Sequence, residues 1–310
     1  MFYAAYEGKI TMEKQIEKLK SEKNAVILSH YYAPDEAQRV ADYVGDSFYL
    51  AKVAKNTSAD IIVFCGVSFM GESAKILNPE KKVLVPDVTA DCPMAHMVKP
   101  GIIDEMRNTY EDLAVVCYIN STAALKSQSD VCVTSSNAVK IVKALPTKNI
   151  FFIPDRNLGR YVAEKVPEKN IIINDGYCPI HAAITKEQLQ VVKNEHAAAP
   201  VLSHPECEPE VLAISDYIGS TSDIIEYVKK SENKEFIICT EEGVKYQLMK
   251  DNPDKKFYFV SPAPCCEDMK RNTLENILSV LEKEDKAVET DETTRAAALV
   301  PLDRMLEYAK

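Results

Sequence analysis

Short, continuous apolar runs recur along the 310-residue chain, and they come in threes. The first third carries AVILS (25–29), IIVFC (61–65) and VLVPD (83–87). The second carries AVVCYI (114–119), IFFIP (150–154) and IIIND (171–175). The third carries APVLS (199–203), FIICT (236–240) and FYFVS (257–261). Runs this short, β-rich and uninterrupted predict parallel strands buried on both faces. Helical spacing appears between them. Ala37, Val40, Ala41 and Val44 fall at i, i+3, i+4, i+7, as do Leu274, Ile277, Leu278 and Leu281. Alternation of strand and helix predicts βαβ crossovers and α/β layers. The shorter runs DYVGDS, DVCVTS and DYIGST each begin with Asp and offer a fourth strand per third.

The expected fold is therefore α/β, with three similar parallel-sheet αβα units. The first unit covers 1–110, including a lead helix over 1–23. The second covers 111–196 and the third 197–285. The tail, 286–310, reads as polar through KAVETDETTR and helical over ALVPLDRMLEYA.

Polar residues keep the same period as the strands. Cys92, Cys178 and Cys266 are spaced 86 and 88 residues apart; His30, Tyr118 and His204 are spaced 88 and 86. Seventeen residues after each of the latter comes a hydroxyl: Ser47, Ser135 and Thr221. In open parallel sheets, ligands gather outside the carboxyl ends of the strands, and all of these residues follow strand-like runs. Packing about a pseudo-threefold axis would bring equivalent strand ends together, whereas units in a row would hold them apart. Residues of this chemistry at equivalent positions favour the first arrangement.

Charge and cysteine usage narrow the setting. A net charge of −10 argues against nonspecific nucleic-acid binding. No apolar run approaches a membrane span, and the N-terminus lacks the pattern of a secretory leader. Nine cysteines without such a leader predict a reducing, cytoplasmic setting, where thiols serve in packing, metal binding or catalysis. Cys65, Cys117, Cys132, Cys207 and Cys239 lie in or beside strands and read as small buried hydrophobes. Cys92 and Cys178 lie in proline-bearing loops and fit that reading badly. Three cysteines brought together would hold zinc or an iron–sulfur cluster. The chain has no CxxC pair, and a cubane cluster on three thiolates keeps one iron open as a Lewis acid.

Ser47, Ser135 and Thr221 each stand before a helical run, as N-caps do. Three at one offset also suggest a pocket for an anion with several oxygens. His30 with Tyr32, Tyr118 with Asn120, and His204 with Glu206 combine groups that move protons with an amide that orients a ligand. His96 and His196 read as structural hydrogen-bonders. His181, three residues after Cys178, reads as a neighbour of a cluster ligand.

The motifs SHYYAPDEAQRVADYVGDS, VSFMGESAKIL, PDVTADCPMA, VVCYINSTAALKS, VTSSNAV, FIPDRNLG, GYCPIH, SHPEC, IGSTSDII and CEDMKRNTLENIL, in this order, resemble the quinolinate synthases, cluster-dependent enzymes of NAD biosynthesis. The resemblance covers nearly the whole chain. It implies three α/β units around a pseudo-threefold axis and one four-iron four-sulfur cluster held by Cys92, Cys178 and Cys266. The third ligand is Cys266 rather than Cys265 because the family places it three residues before Met-Lys. The implied reaction is a transferase-type condensation of iminoaspartate with dihydroxyacetone phosphate, giving quinolinate, phosphate and water. Tyr32, His204 and Glu206 are implied as catalytic. His30, Ser47, Tyr118, Ile119, Asn120, Ser135, Pro205 and Thr221 would line the substrate pocket with His204 and Glu206. A transient partner supplying iminoaspartate is expected, and neither nucleic acid nor membrane. Two other readings stand beside this one: a hydro-lyase with the same kind of cluster, and a non-catalytic iron–sulfur sensor.

Overall fold

A computed structural model describes residues 2–309, with side chains from Gly8 onward. Among the described residues, twelve strands form three sheets. The first contains β1 (Ala25–His30), β2 (Tyr43–Gly45), β3 (Ile61–Cys65) and β4 (Lys82–Leu84). The second contains β5 (Leu113–Tyr118), β6 (Val131–Val133), β7 (Asn149–Ile153) and β8 (Asn170–Ile173). The third contains β9 (Val201–Ser203), β10 (Tyr217–Ile218), β11 (Glu235–Cys239) and β12 (Lys256–Tyr258). The spatial orders are β2-β1-β3-β4, β6-β5-β7-β8 and β10-β9-β11-β12, one order repeated three times. Every pairing within the sheets is parallel. The fold is thus α/β with three parallel four-stranded sheets, as the apolar runs predict, and the DYVG-type runs are the short edge strands.

The shared initial aspartate of those runs has a structural cause. The backbone N–H groups of Asp42, Asp130 and Asp216 donate to the carbonyls of Ile27, Val115 and Val201, each at 2.9 Å. Their carboxylates accept from the N–H groups of the same three residues at 2.8, 2.7 and 2.8 Å. Each aspartate therefore satisfies a main-chain donor that the short edge strand leaves over. A glycine follows in two of the three runs. At Gly219 a Cβ would meet that of Asp223 at 2.8 Å, so the first turn of helix Thr221–Lys230 packs this close only against glycine.

The chain divides into two compact units, Met1–Cys92 with Cys266–Ala296, and Pro93–Cys265 with Ala297–Lys310. In the first, the apolar faces of Ile27, Ile61, Val63 and Leu84 pack with Ile16 and with Leu274, Ile277, Val280 and Leu281 of helix Leu274–Lys283. The second holds the other two sheets. One of its cores joins Val201, Ile237, Cys207, Cys239, Leu189 and Val192.

The structure revises two local expectations. Helix Asp35–Val40 stops four residues short of Val44, because Ala41 is extended and Asp42 draws the chain into β2 beside β1. The polar tail is already ordered as secondary structure: Ala287 pairs antiparallel with Leu84, and the last helix starts at Glu292. Asp291 caps that helix by accepting from the Thr294 N–H at 2.9 Å. The lead helix runs from Phe2 to Glu22, and Met1 lies outside the described residues. Among the described residues, no helix is long and apolar enough to cross a membrane.

Candidate active site

In the order 2-1-3-4 the chain leaves the two central strands toward opposite edges. Such a reversal opens a crevice at their carboxyl ends. His30 and Tyr118 end β1 and β5, and His204 directly follows β9; these strands are the first member of each central pair. Continuing the pairing register by one residue sets them beside Gly66, Pro154 and Thr240, which follow β3, β7 and β11.

The second unit gathers the denser group. Glu206, in the turn after β9, is buried with an exposure of 3%. Its Oε2 lies 2.8 Å from Nδ1 of His181 and 3.5 Å from Nδ1 of His204. The Tyr118 side chain hydrogen-bonds to the same carboxylate. Oε1 is buried and has no hydrogen-bond partner. Burial would raise the Glu206 pKa. The charges of His181 and His204, and hydrogen bonds from His181 and Tyr118, outweigh it and lower the pKa to about 2. The group is a carboxylate at any working pH. Asp155, after β7, moves the other way: burial and the charge of Glu206 raise it.

Cys178 joins this group. It directly precedes the one-turn helix Pro179–Ala182, and its Sγ lies 3.2 Å from His181 Nδ1. Its N–H donates to Asp155 Oδ2 at 3.2 Å, while Asp155 Oδ1 caps helix Arg156–Lys165 by accepting from Leu158 at 2.6 Å. Asn157 holds the Glu206 carbonyl at 3.0 Å. Ligand atoms of Cys178, His181 and Glu206 all lie within 4.8 Å of one another. Thiolate, imidazole and carboxylate at this separation suit a transition metal or the edge of a metal cluster.

The first unit carries a second group. His30 is buried, and the Tyr32 N–H donates to its Nδ1 at 3.1 Å. Lys270 donates to the Tyr32 carbonyl at 2.8 Å. Lys270 ends the one-turn helix Glu267–Lys270, which Cys266 directly precedes. Asp91, next to Cys92, donates its N–H to Asp268 of that helix at 3.3 Å, so the two cysteine-bearing turns are tied together. Ser68 Oγ hydrogen-bonds to the Asp91 carboxylate. Asn272 reaches the Gly66 carbonyl at 3.0 Å. Cys92 and Cys266, like Cys178, are half-buried.

The three hydroxyls are placed differently from simple caps. Asp46 caps helix Ser47–Asn56 and Ser220 caps helix Thr221–Lys230, so Ser47 and Thr221 occupy the first helical position. Ser135 lies in the turn before helix Ala138–Ala144, where Asn137 accepts from the Thr134 N–H at 2.7 Å. Ile119 and Pro205 are buried within the turns after β5 and β9, and the Asn120 Oδ1 is buried without a partner. His96 is exposed, and His196 stacks on Tyr258 at 3.4 Å. Cys65, Cys117, Cys132, Cys207 and Cys239 are all fully buried. Burial pushes Cys65 and Cys207 well up, and Cys239 to about 12.

Sequence reasoning passed over Asp155, Asn157, Thr240 and Lys270. FIPDRNLG and CEDMK were visible as motifs, and FIICT only as a strand. A polar residue just past the second central strand, beside a strand-end histidine, is the signal that identifies Thr240.

Repeated parallel sheets with thiol, imidazole and carboxylate groups at their strand ends define an α/β protein with a candidate metal centre. Residues 14–307 match the family model described as Quinolinate synthetase A protein. The curated quinolinate synthase of Fusobacterium nucleatum is 53% identical over 298 residues, covering 96% of this chain and 99% of that protein. Quinolinate synthases of Caldicellulosiruptor saccharolyticus and Clostridioides difficile are 49% and 48% identical, each over 96% of this chain and covering 98% and 97% of theirs. The chain belongs to the quinolinate synthase family.

Proposed function

We propose that this protein condenses iminoaspartate with dihydroxyacetone phosphate to quinolinate, releasing phosphate and water, in the cytoplasm. The observation that carries the reading is Glu206, a buried carboxylate with one oxygen held by His181 and the other unpartnered. A site with this charge and this open acceptor is built to receive a ligand proton or N–H.

Cys92, Cys178 and Cys266 are proposed to hold a four-iron four-sulfur cluster. Each follows the fourth strand of its sheet and stands immediately before a one-turn helix: Pro93–His96, Pro179–Ala182 or Glu267–Lys270. Cys265 stands one residue off that position, which favours Cys266. Half-buried thiols, with an imidazole and a carboxylate beside one of them, fit the donor set of such a cluster. When bound, the cluster supplies a Lewis-acidic iron for a carboxylate or hydroxyl oxygen.

The chain's own residues then divide the remaining work. Ser47, Ser135 and Thr221 bind the phosphate, supported by their places at or just before helix starts. Tyr118 and Asn120 orient the second substrate, and the Asn120 Oδ1 offers an acceptor. Glu206 Oε1 accepts a proton or orients the amine, and His204 assists from beside it, its Nδ1 accepting the Glu206 N–H at 3.3 Å and lying 3.5 Å from the carboxylate. Tyr32 supplies a phenol for the same traffic, with His30 holding its turn. The reactive imine is supplied by an oxidation of aspartate in a partner enzyme.

The test is an anaerobic assay for quinolinate alongside an iron and sulfide count. The expected result is turnover with about four of each per chain, the stoichiometry of a cubane. Serine at Cys92, Cys178 or Cys266 should remove most of the iron. Full iron retention in Cys266→Ser, with loss in Cys265→Ser, would move the third ligand by one residue. Turnover of simple hydroxy acids, with no quinolinate formed, would favour a hydro-lyase.

A further inference from the structure

We propose that Thr240 is a positioning residue for the Glu206 carboxylate, acting through the His181 ring. The inference rests on Glu206 being the carboxylate that meets substrate in the condensation. Thr240 Oγ1 lies 2.9 Å from His181 Nε2, and His181 Nδ1 lies 2.8 Å from Glu206 Oε2. The exposures of the three residues are 0%, 2% and 3%.

Hydroxyl, imidazole and carboxylate in a line have the geometry of an acyl-transfer triad. Here the hydroxyl is assigned no nucleophilic role. The line works in the other direction: the hydroxyl orients the ring and the ring orients the carboxylate. Thr240 satisfies Nε2 in either charge state of His181. It donates its O–H to the neutral ring and accepts N–H from the cationic one. In both states the Nδ1 proton points at Glu206 Oε2. That engages one carboxylate oxygen and leaves Oε1, which has no partner, as the presented atom.

Cys178 Sγ competes for the same Nδ1 at 3.2 Å. Without the hydroxyl, Nε2 loses this partner, and the ring is no longer held with its Nδ1 toward Glu206 and becomes free to turn toward the sulfur. Glu206 Oε2 would then lose that donor. Only the third sheet supplies a hydroxyl here, since the residues at the corresponding place after β3 and β7 are Gly66 and Pro154.

The experiment compares Thr240→Val, Thr240→Ser and Thr240→Ala with the wild type, all prepared anaerobically, reading iron content, melting temperature, kcat and KM. Thr240→Val should keep full iron and near-normal KM for both substrates, while kcat falls about 10- to 100-fold, as for loss of an outer-shell partner. Thr240→Ser should recover to within about threefold of wild type. Ser and Ala both lack the methyl and differ only in the hydroxyl, so they give the same contrast if Val disturbs packing. Equal activity of the Ser and Ala variants, or unimpaired kcat in Thr240→Val beside an active wild type, overturns the inference alone. Iron-replete wild type that forms no quinolinate overturns the condensation reading and this inference with it.

Discussion

In the SHYY turn after β1 and the SHPE turn after β9, the amide two residues past the histidine donates to its Nδ1, at 3.1 and 3.3 Å. In both, the amide three residues past closes onto the histidine carbonyl at 3.0 Å. The backbone device is the same, but what surrounds it is not. His30 Nδ1 serves as an acceptor, and its neighbour Tyr32 is half-buried with its carbonyl tied to Lys270. His204 Nδ1 also lies 3.5 Å from a carboxylate, and that carboxylate is buried against two imidazoles and a phenol. The repeat thus supplies a frame that holds an imidazole and aims the residue two places on. The neighbours then decide whether that residue is a half-exposed phenol or a fixed anion.

The largest expected effect tests whether the two turns are chemically unequal. Glu206→Gln should keep its iron and lose about a thousandfold in kcat, within the range for removing a proton-handling group. Tyr32→Phe should lose about a hundredfold or less. Equal losses would mean that burial and charge at Glu206 add nothing beyond the turn itself.

A smaller effect concerns the link from the Cys266 turn to Tyr32. Lys270→Met removes a charged donor to a main-chain carbonyl, an interaction of roughly 1.5–3 kcal/mol. About a tenfold fall in kcat is expected, with iron content unchanged and partial recovery in Lys270→Arg. Loss of iron in step with activity would assign Lys270 to the cluster-binding turn instead.

Acid should also separate the turns. The folded pKa of Glu206, about 2, lies below that of an unfolded glutamate, about 4.3. The stability it contributes is therefore fully present above the unfolded value and lost as pH falls toward about 2. In cluster-free protein, the unfolding free energies of wild type and Glu206→Gln should differ by a few kcal/mol at pH 6, by about half as much at pH 3, and the gap should close only below about pH 2. A gap independent of pH would mean that the histidines do not hold the carboxylate ionised.

The strands were legible because burial of the central strands on both faces leaves short, β-rich apolar runs bounded by turn residues. The strand-end histidines and tyrosine were legible because they share the strand period. Two kinds of residue were not. Thr240 ends a run read only as a strand, and its role depends on His181, fifty-nine positions away. Lys81, Lys169 and Lys255 keep the period, but nothing in their neighbourhood along the chain marks them out. Each in fact donates to two carbonyls at the C-terminal end of an earlier helix: Thr57 and Ala59 after Ser47–Asn56, Leu145 and Thr147 after Ala138–Ala144, and Val228 and Ser231 in the last turn of, and just after, Thr221–Lys230. They cap helix ends as cations do. The helix predicted through Val44 failed because Ala41 and Val44 suit either period, and the hydrogen bonds of Asp42 decided the outcome.

The smallest expected effect tests whether the common frame, and not its chemistry, is equal in the two units. Asp42 and Asp216 each accept a main-chain N–H at 2.8 Å beside the strand that ends in the histidine. Alanine at either site leaves that donor unmet and should cost about 1–3 kcal/mol in urea unfolding. Asparagine keeps an acceptor oxygen and should cost less. Asp42 has an added partner, Lys20, at 2.7 Å, and the Lys20 side chain is only 9% exposed. Removing Asp42 leaves this ammonium with Glu17, at 2.9 Å, in a poorly hydrated place. Asp42→Asn should therefore cost more than Asp216→Asn, while the two alanine variants differ by a similar amount in the same direction. Identical costs at the two positions would mean that Lys20 finds full compensation in Glu17, and that the two frames are energetically alike.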